Sequence, residues 1–255
     1  MKLLAFDTST DRMSIAVTDG ARTWQHSGPG SAQSSGTLIP VILGLMRDAG
    51  LNLSALDAIV FGRGPGSFTG LRTACAVAQG LAFGANVPVL PLDTLMAVAE
   101  EARLQQLAAD AAETLRITAV LDARMDELYV QTFDCSADGC RALASCVLVR
   151  PEALAVGDGV QLLAGNVFAV YPDRLSANVM AMPRVETLPT ATAMLRLAPA
   201  LVSAGACVTA DEALPLYVRD KVAQTTEERL RIKADAARAA ALLVPATPAA
   251  GGAPR

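Results

Sequence analysis

The chain has 255 residues, of which 52% are hydrophobic and 18% charged, enough apolar surface for a substantial core divided between two domains of ordinary size. A formal net charge of −4, with Lys and Arg scattered singly, lacks the basic footprint of an autonomous nucleic-acid binder. Apolar runs are short or interrupted, and "MKLLAFDTSTDR" has neither the apolar length nor the cleavage site of a secretion signal, so a soluble, cytoplasmic protein without membrane attachment is expected. Cys75, Cys135, Cys140, Cys146 and Cys207 form an odd set without CxxC spacing, which reads as thiols, mainly buried, rather than a disulfide framework or a zinc site. His26 is the one histidine; it reads as a surface residue, and a two-His metal site is excluded.

In chain order, "KLLAF", "MSIAVTD" and "ARTWQHS" read as three antiparallel strands joined at "DTSTDR" and at a "DG" hairpin signal. Ser27, Ser31, Ser34 and Ser35 belong to the following Gly/Ser-rich loop; His26 is near, but no orienting acid is in view, so a solvated loop explains them better than a nucleophile. "LIPVILGLMRDAG" gives a helix from Leu38 to Ala49 capped by Gly50. "LDAIVFG" is a buried strand, Phe68 to Ala85 a helix, "VPVLPL" a strand, and "DTLMAVAEEARLQQL" a helix with Asp93 or Thr94 as N-cap. "ITAVLDARMDELYVQTFD" then repeats around Asp122 the strand, polar turn and strand seen around Asp7, a weak internal duplication. "CRALASCVLV" reads as a further strand and "TATAMLRLAPALVSAG" as the clearest helix of the second half. Beyond residue 222, "QTTEERLRIKADAARAAALL" has helical character and "VPATPAAGGAPR" the composition of a disordered tail. The expected organisation is an α/β domain over 1–108, a less regular one over 109–222, and a tail over 223–255, with mixed sheets flanked by helices.

"GRGPGSFTGLR", Gly62 to Arg72, joins strand to helix and has three readings. Gly64, Gly66 and Gly70 with the helix start at Ser67 can offer N–H groups to an anion, but the lysine and spacing of a phosphate loop are missing. Gly70, Ala74 and Ala78 lie four residues apart and permit close helix packing, against this chain or against a partner. From spacing alone, packing within the chain ranks first, a partner helix second and phosphate third. Asp7, Thr8 and Ser9 similarly suit either Mg²⁺ and phosphate or the satisfaction of their own turn. "DARMDE", from Asp122 to Glu127, is a functional surface or simply a solvated turn.

"LLAFDTST", "GRGPGSFTGLRTACAVAQGLAFG", "VLDARMDELYV" and "PLYVRDKVA", in this order and spanning residues 1–223, resemble the bacterial TsaB (YeaZ) family. The resemblance implies two RNase H-like domains of the actin, sugar kinase and Hsp70 type. It further implies a subunit with no catalytic residues and no metal of its own. That subunit dimerises with the paralogue TsaD, works with the TsaE-type ATPase, and supports transfer of threonylcarbamoyl to N6 of the adenosine beside the anticodon in tRNAs reading ANN codons. Contact with tRNA would be indirect, the chain alone would form a homodimer, and the M22 peptidase label attached to the family would not apply without metal ligands. The implied partner interface comprises Leu38, Val41, Ile42 and Leu45 on one helix and Ser67, Phe68, Gly70, Leu71, Ala74 and Ala78 on the other. Asp7, Thr8, Ser9, Gly64, Gly66 and Ser67 form the candidate phosphate or nucleotide set, with nucleotide at the complex interface and no other cofactor expected. The competing function is a small-molecule kinase or ATPase of the same fold, with Asp7, Thr8 and Asp122 around Mg-nucleotide.

Overall fold

Strand β1 (Leu3–Asp7) is buried along its whole length because its alternating side chains enter two different cores. Leu4 and Phe6 join one cluster, and Leu3 and Ala5 another on the opposite face. Such a continuous apolar run marks a central strand covered on both sides. The computed structural model describes residues 1–30, 34–106 and 114–219, and Met1–Val218 forms one compact unit. The expected junction at residue 108, the tail from 223 on, and Ser31 lie outside the described residues.

β2 (Arg12–Thr18) and β3 (Thr23–Pro29) continue antiparallel from β1, while β4 (Ala58–Gly64) and β5 (Val89–Asp93) lie parallel on its other side. The five-stranded order is therefore β3-β2-β1-β4-β5. Helix α1 (Ser34–Asp48) runs between β3 and β4, α2 (Phe68–Ala85) between β4 and β5, and α3 (Thr94–Gln106) follows β5. α1 starts at Ser34, four residues before the expected Leu38. Gly50 closes it with φ +65, its N–H bonding Arg47 O while Leu51 N–H bonds Met46 O, as expected of a left-handed glycine stop. α2 ends on Asn86, also left-handed.

The second sheet repeats the plan. β6 (Leu115–Arg124), β7 (Glu127–Ser136) and β8 (Gly139–Ala142) are antiparallel, and β10 (Leu162–Gly165) and β11 (Arg184–Glu186) run parallel to β6, in the order β11-β10-β6-β7-β8. β9 (Val147–Val149) pairs with the start of β7. "CRALASCVLV" is thus two strands rather than one. Leu143 N–H and Ala144 O turn inward to Thr132 O and the Gln131 amide at 2.9 Å each, breaking the run between β8 and β9. Cys135 and Cys140 form a disulfide, correcting the expectation that all the cysteines are thiols. The two stand directly opposite in the β7–β8 pair, a juxtaposition that depends on the hairpin and not on a CxxC spacing.

The helices that end each half exchange sheets. α5 (Ala191–Ser203), which follows β11, packs on β1 and β2, and its first N–H, that of Ala191, bonds Ser14 Oγ at 2.8 Å. α3, which follows β5, packs mainly on β6 and β7, placing Leu95, Val98 and Ala102 beside Ile117 and Phe133. α4 (Ala177–Ala181) covers the other face of the second sheet. An ion-pair network ties α3 to α5: buried Glu100 accepts from Arg103 at 2.7 and 3.0 Å and from Arg196 at 2.8 Å. Among the described residues no helix is long and apolar enough to cross a membrane.

Truncating one member of a buried charge network strands the others. Glu100→Ala should lower unfolding free energy by about 3 kcal/mol in urea titration, whereas Arg141→Ala, at the mainly exposed partner of Asp134, should cost under about 1 kcal/mol. Equal effects would contradict the buried network.

Candidate functional site

The turn after β1 and the turn before α2 are built against each other. Asp7, Thr8 and Ser9 are all buried, Asp7 to 1% exposure. Asp7 Oδ1 accepts from Ser9 N–H at 2.8 Å and Ser9 Oγ at 2.6 Å, and Oδ2 accepts from Thr94 Oγ1 at 3.0 Å. Thr8 Oγ1 donates to Gly70 O at 2.7 Å, and Ser67 N–H donates to Ser9 O at 2.7 Å. The approach needs missing side chains. A Cβ on Gly62 would stand 1.8 Å from Asp7 Oδ2, on Gly66 2.6 Å from Ser9 Cβ, and on Gly70 1.9 Å from Thr8 O. Gly64, in the same turn, lies beneath Leu216, whose N–H bonds Arg63 O at 2.7 Å.

Burial pushes the Asp7 carboxyl above its ordinary range, against the lowering effect of the Ser9 and Thr94 hydrogen bonds. The candidate phosphate set is therefore brought together, but with Asp7, Thr8 and Ser9 turned to their own chain. Asp93 and Thr94, the two proposed caps of α3, are also used across the fold: Asp93 pairs with Arg63 at 2.6 Å and Thr94 serves Asp7.

Asp122 occupies the matching place in β6 with a different environment. Its Oδ1 accepts from Tyr171 Oη and from Arg124 N–H at 2.9 Å each, and its Oδ2 pairs with the exposed Arg124 at 3.1 Å. Burial, then the hydrogen bond and charge of Asp122, push the Tyr171 hydroxyl up to about 12. Asp126 and Glu152 both hold Arg174. Asp122 and Asp7 belong to different sheets and share no hydrogen-bond partner given by the structure.

Of the ten residues expected at the partner interface, six are enclosed by the chain itself. Leu38, Ile42, Ala74 and Ala78 belong to the chain's own core, and Gly70 and Leu71 are buried with them. Val41, Leu45, Ser67 and Phe68 are half-buried. The outward sides of the same two helices carry other residues: Ile39 and Leu43 on α1, 42% and 49% exposed, and Phe83 on α2, 83% exposed. Ala76, Gly80 and Gly84 accompany Phe83 on the exposed side of α2. A groove of about 850 Å³ runs between the helices, lined by Leu43, Arg47, Gly80, Leu81 and Gly84 among others. The signal was available in the sequence, because Ala76, Gly80 and Gly84 repeat the four-residue spacing of Gly70, Ala74 and Ala78. Spacing does not say which stripe faces inward.

A family model described as TsaD, tRNA N6-adenosine threonylcarbamoyltransferase, matches residues 30–227. The tRNA threonylcarbamoyladenosine biosynthesis protein TsaB of Escherichia coli K12 is 30% identical over 231 residues, 88% of this chain and 96% of that protein. TsaB of Haemophilus influenzae is 39% identical over 129 residues, 51% of this chain and 52% of that one. The solved structure of YeaZ from Pseudomonas aeruginosa is 36% identical with a TM-score of 0.75, covering 85% of this chain and 99% of that one. Two mixed, helix-flanked sheets with one repeated strand order define a two-sheet α/β protein with the fold of the YeaZ structure. Within that class the chain belongs to the TsaB (YeaZ) family.

Gly70→Ala must displace the Thr8 backbone and should cost about 1–3 kcal/mol, while Gly80→Ala, open to solvent, should gain up to about 1 kcal/mol of helix propensity. Urea titrations of both variants check the contrast. The raised Asp7 pKa stabilises the folded state below the unfolded value of 3.8, and that contribution is lost as pH rises through the folded pKa. Asp7→Asn should therefore gain stability relative to the wild type as pH rises from 4 towards neutrality; a constant difference across that range would refute the shift.

Proposed function

We propose that this chain is a non-catalytic subunit that dimerises with TsaD and supports transfer of threonylcarbamoyl to N6 of the adenosine adjacent to the anticodon in tRNAs reading ANN codons. Membership of the TsaB family supports a role in tRNA threonylcarbamoyladenosine biosynthesis. The match to a model described as TsaD supports association with a paralogue of like fold. The observation that carries the subunit reading is the combination of a sealed first turn with an open helix face. Asp7 is enclosed by its own chain, while Ile39, Leu43 and Phe83 stand exposed on the two helices that flank the groove.

An apolar face rimmed by small residues is suited to covering by other helices. In this reading the subunit carries no cofactor of its own, any nucleotide sits at the complex interface, the TsaE-type ATPase joins the heterodimer, and tRNA is contacted through the partner. The same face would pair two copies when the partner is absent. A role in tRNA modification supports a cytoplasmic location in this reading.

Reconstitution tests the reading directly. TsaD, the ATPase and the threonylcarbamoyl-adenylate synthase should modify tRNA only when this chain is added, and full modification without it would end the proposal. Leu43→Glu and Phe83→Glu should each weaken co-purification with TsaD at least about tenfold while leaving the unfolding midpoint within about 0.5 kcal/mol of the wild type. Unchanged binding by both variants would move the interface elsewhere.

A further inference from the structure

Arg72 stands on the exposed side of α2, close to its start. Its guanidinium carbon lies 3.7 Å from the centroid of the Phe68 ring, and its Nε donates to Tyr217 Oη at 3.1 Å. The Tyr217 ring in turn lies 5.4 Å from that of Phe68. Tyr217 is itself well anchored. In the segment that carries it, Leu216 N–H bonds Arg63 O at 2.7 Å, and Ala213 O accepts from Cys75 Sγ at 3.1 Å and Gln79 Nε2 at 2.9 Å. Two segments of the chain 145 positions apart thus fix one arginine side chain flat on the surface.

Seven other arginines pair with carboxylates in the structure: Arg63, Arg103, Arg116, Arg124, Arg141, Arg174 and Arg196. Among the described residues Arg72 has no such pair, although its guanidinium is both stacked and hydrogen-bonded. With one face stacked and Nε engaged, the two terminal amino groups remain as a planar pair of donors, the geometry that grips a carboxylate through two parallel hydrogen bonds. A guanidinium arranged in advance loses less freedom on pairing than a mobile one.

We propose that Arg72, held by Phe68 and Tyr217, is the docking point for a carboxylate side chain of the protein that covers the α1/α2 face. The inference rests on the partner reading given above and adds a fixed polar anchor near the start of α2, away from the groove lined by Gly80 and Gly84. Continuity supports it: Thr69, Arg72, Ala76, Gly80 and Phe83 follow at steps of three or four residues, and all are exposed, so they share one outward side of α2. A protein lying along that track meets the arginine at its end. Tyr and Arg are also the residue types that most often dominate such contacts.

Calorimetric titration of the full chain with TsaD, with and without ATP and at low and high salt, is the test. Arg72→Gln should bind about ten- to a hundredfold more weakly and lose part of the salt dependence. Arg72→Lys, which keeps the charge without the planar fork, should fall between; Tyr217→Phe, which keeps the ring without the hydroxyl, should show a smaller loss. Unfolding midpoints should be unchanged. If the wild type does not bind TsaD, the partner reading falls and this inference with it. If the wild type binds and Arg72→Gln binds equally well, this inference alone is overturned. A loss that appears only when ATP is added assigns the fork to a phosphate and likewise overturns the carboxylate.

Discussion

The closeness of α2 to the turn after β1 decides what this molecule keeps inside and what it leaves outside. Glycines at 62, 66 and 70 remove the side chains that would collide with Asp7, Ser9 and Thr8, and the vacated space is filled by backbone and carboxylate. The contact is then sealed by hydrogen bonds across it, from Thr8 to Gly70 and from Ser67 to Ser9. That last bond occupies a donor at the helix start that an anion would need. The approach that positions α2 thus engages the polar groups of the first loop within the chain itself. An aspartate at the end of a first strand has a functional look in sequence, yet here desolvation and three hydrogen bonds make it part of the packing.

The two halves have the same strand order but not the same turn. At Asp7 the surroundings are hydroxyls and glycines; at Asp122 they are a tyrosine and arginines, with much of the cluster open to water. Duplication of a framework therefore leaves the loops free to diverge, since strand pairing depends on register while loop chemistry does not. What binds the halves together is the exchange of α3 and α5, each packed on the sheet of the other half. Their helix pairing is reinforced by Glu100, which neutralises Arg103 within α3 and reaches Arg196 on α5.

Much of this was legible in the sequence. The three opening strands, α2 from Phe68 to Ala85, and the repeat around Asp122 follow from periodicity, turn residues and internal similarity. β10 and β11, of four and three residues, escape because strands so short carry no period, and α4 for the same reason. The disulfide escapes because its partners meet only through the β7–β8 register. The site was half legible. The two helices named in the sequence reading do carry an open face, but Leu38, Ile42 and Ala74 lie on their buried sides. α2 carries two small-residue stripes of equal spacing, and the one containing Gly70 is inward because the Thr8 carbonyl takes the place of its Cβ. Only the tertiary contact breaks that tie.

The open stripe is too small to hold a partner by apolar contact alone. Fully burying a Leu, Ile or Phe side chain is worth about 1.5–3 kcal/mol. At the exposures of Ile39, Leu43 and Phe83, the gain from this chain is roughly 4 kcal/mol. Two copies facing each other would gather roughly twice that, against an association cost of about 4–15 kcal/mol. In the proposed homodimer the apolar gain and the association cost are therefore of similar size. A different protein gains over a second copy only by adding what this surface still offers: backbone approach across Gly80 and Gly84, and a guanidinium already fixed at Arg72. In the proposed pairings, selection of partner over self then rests on directional contacts along α2, with the apolar centre supplying a similar contribution to either pairing.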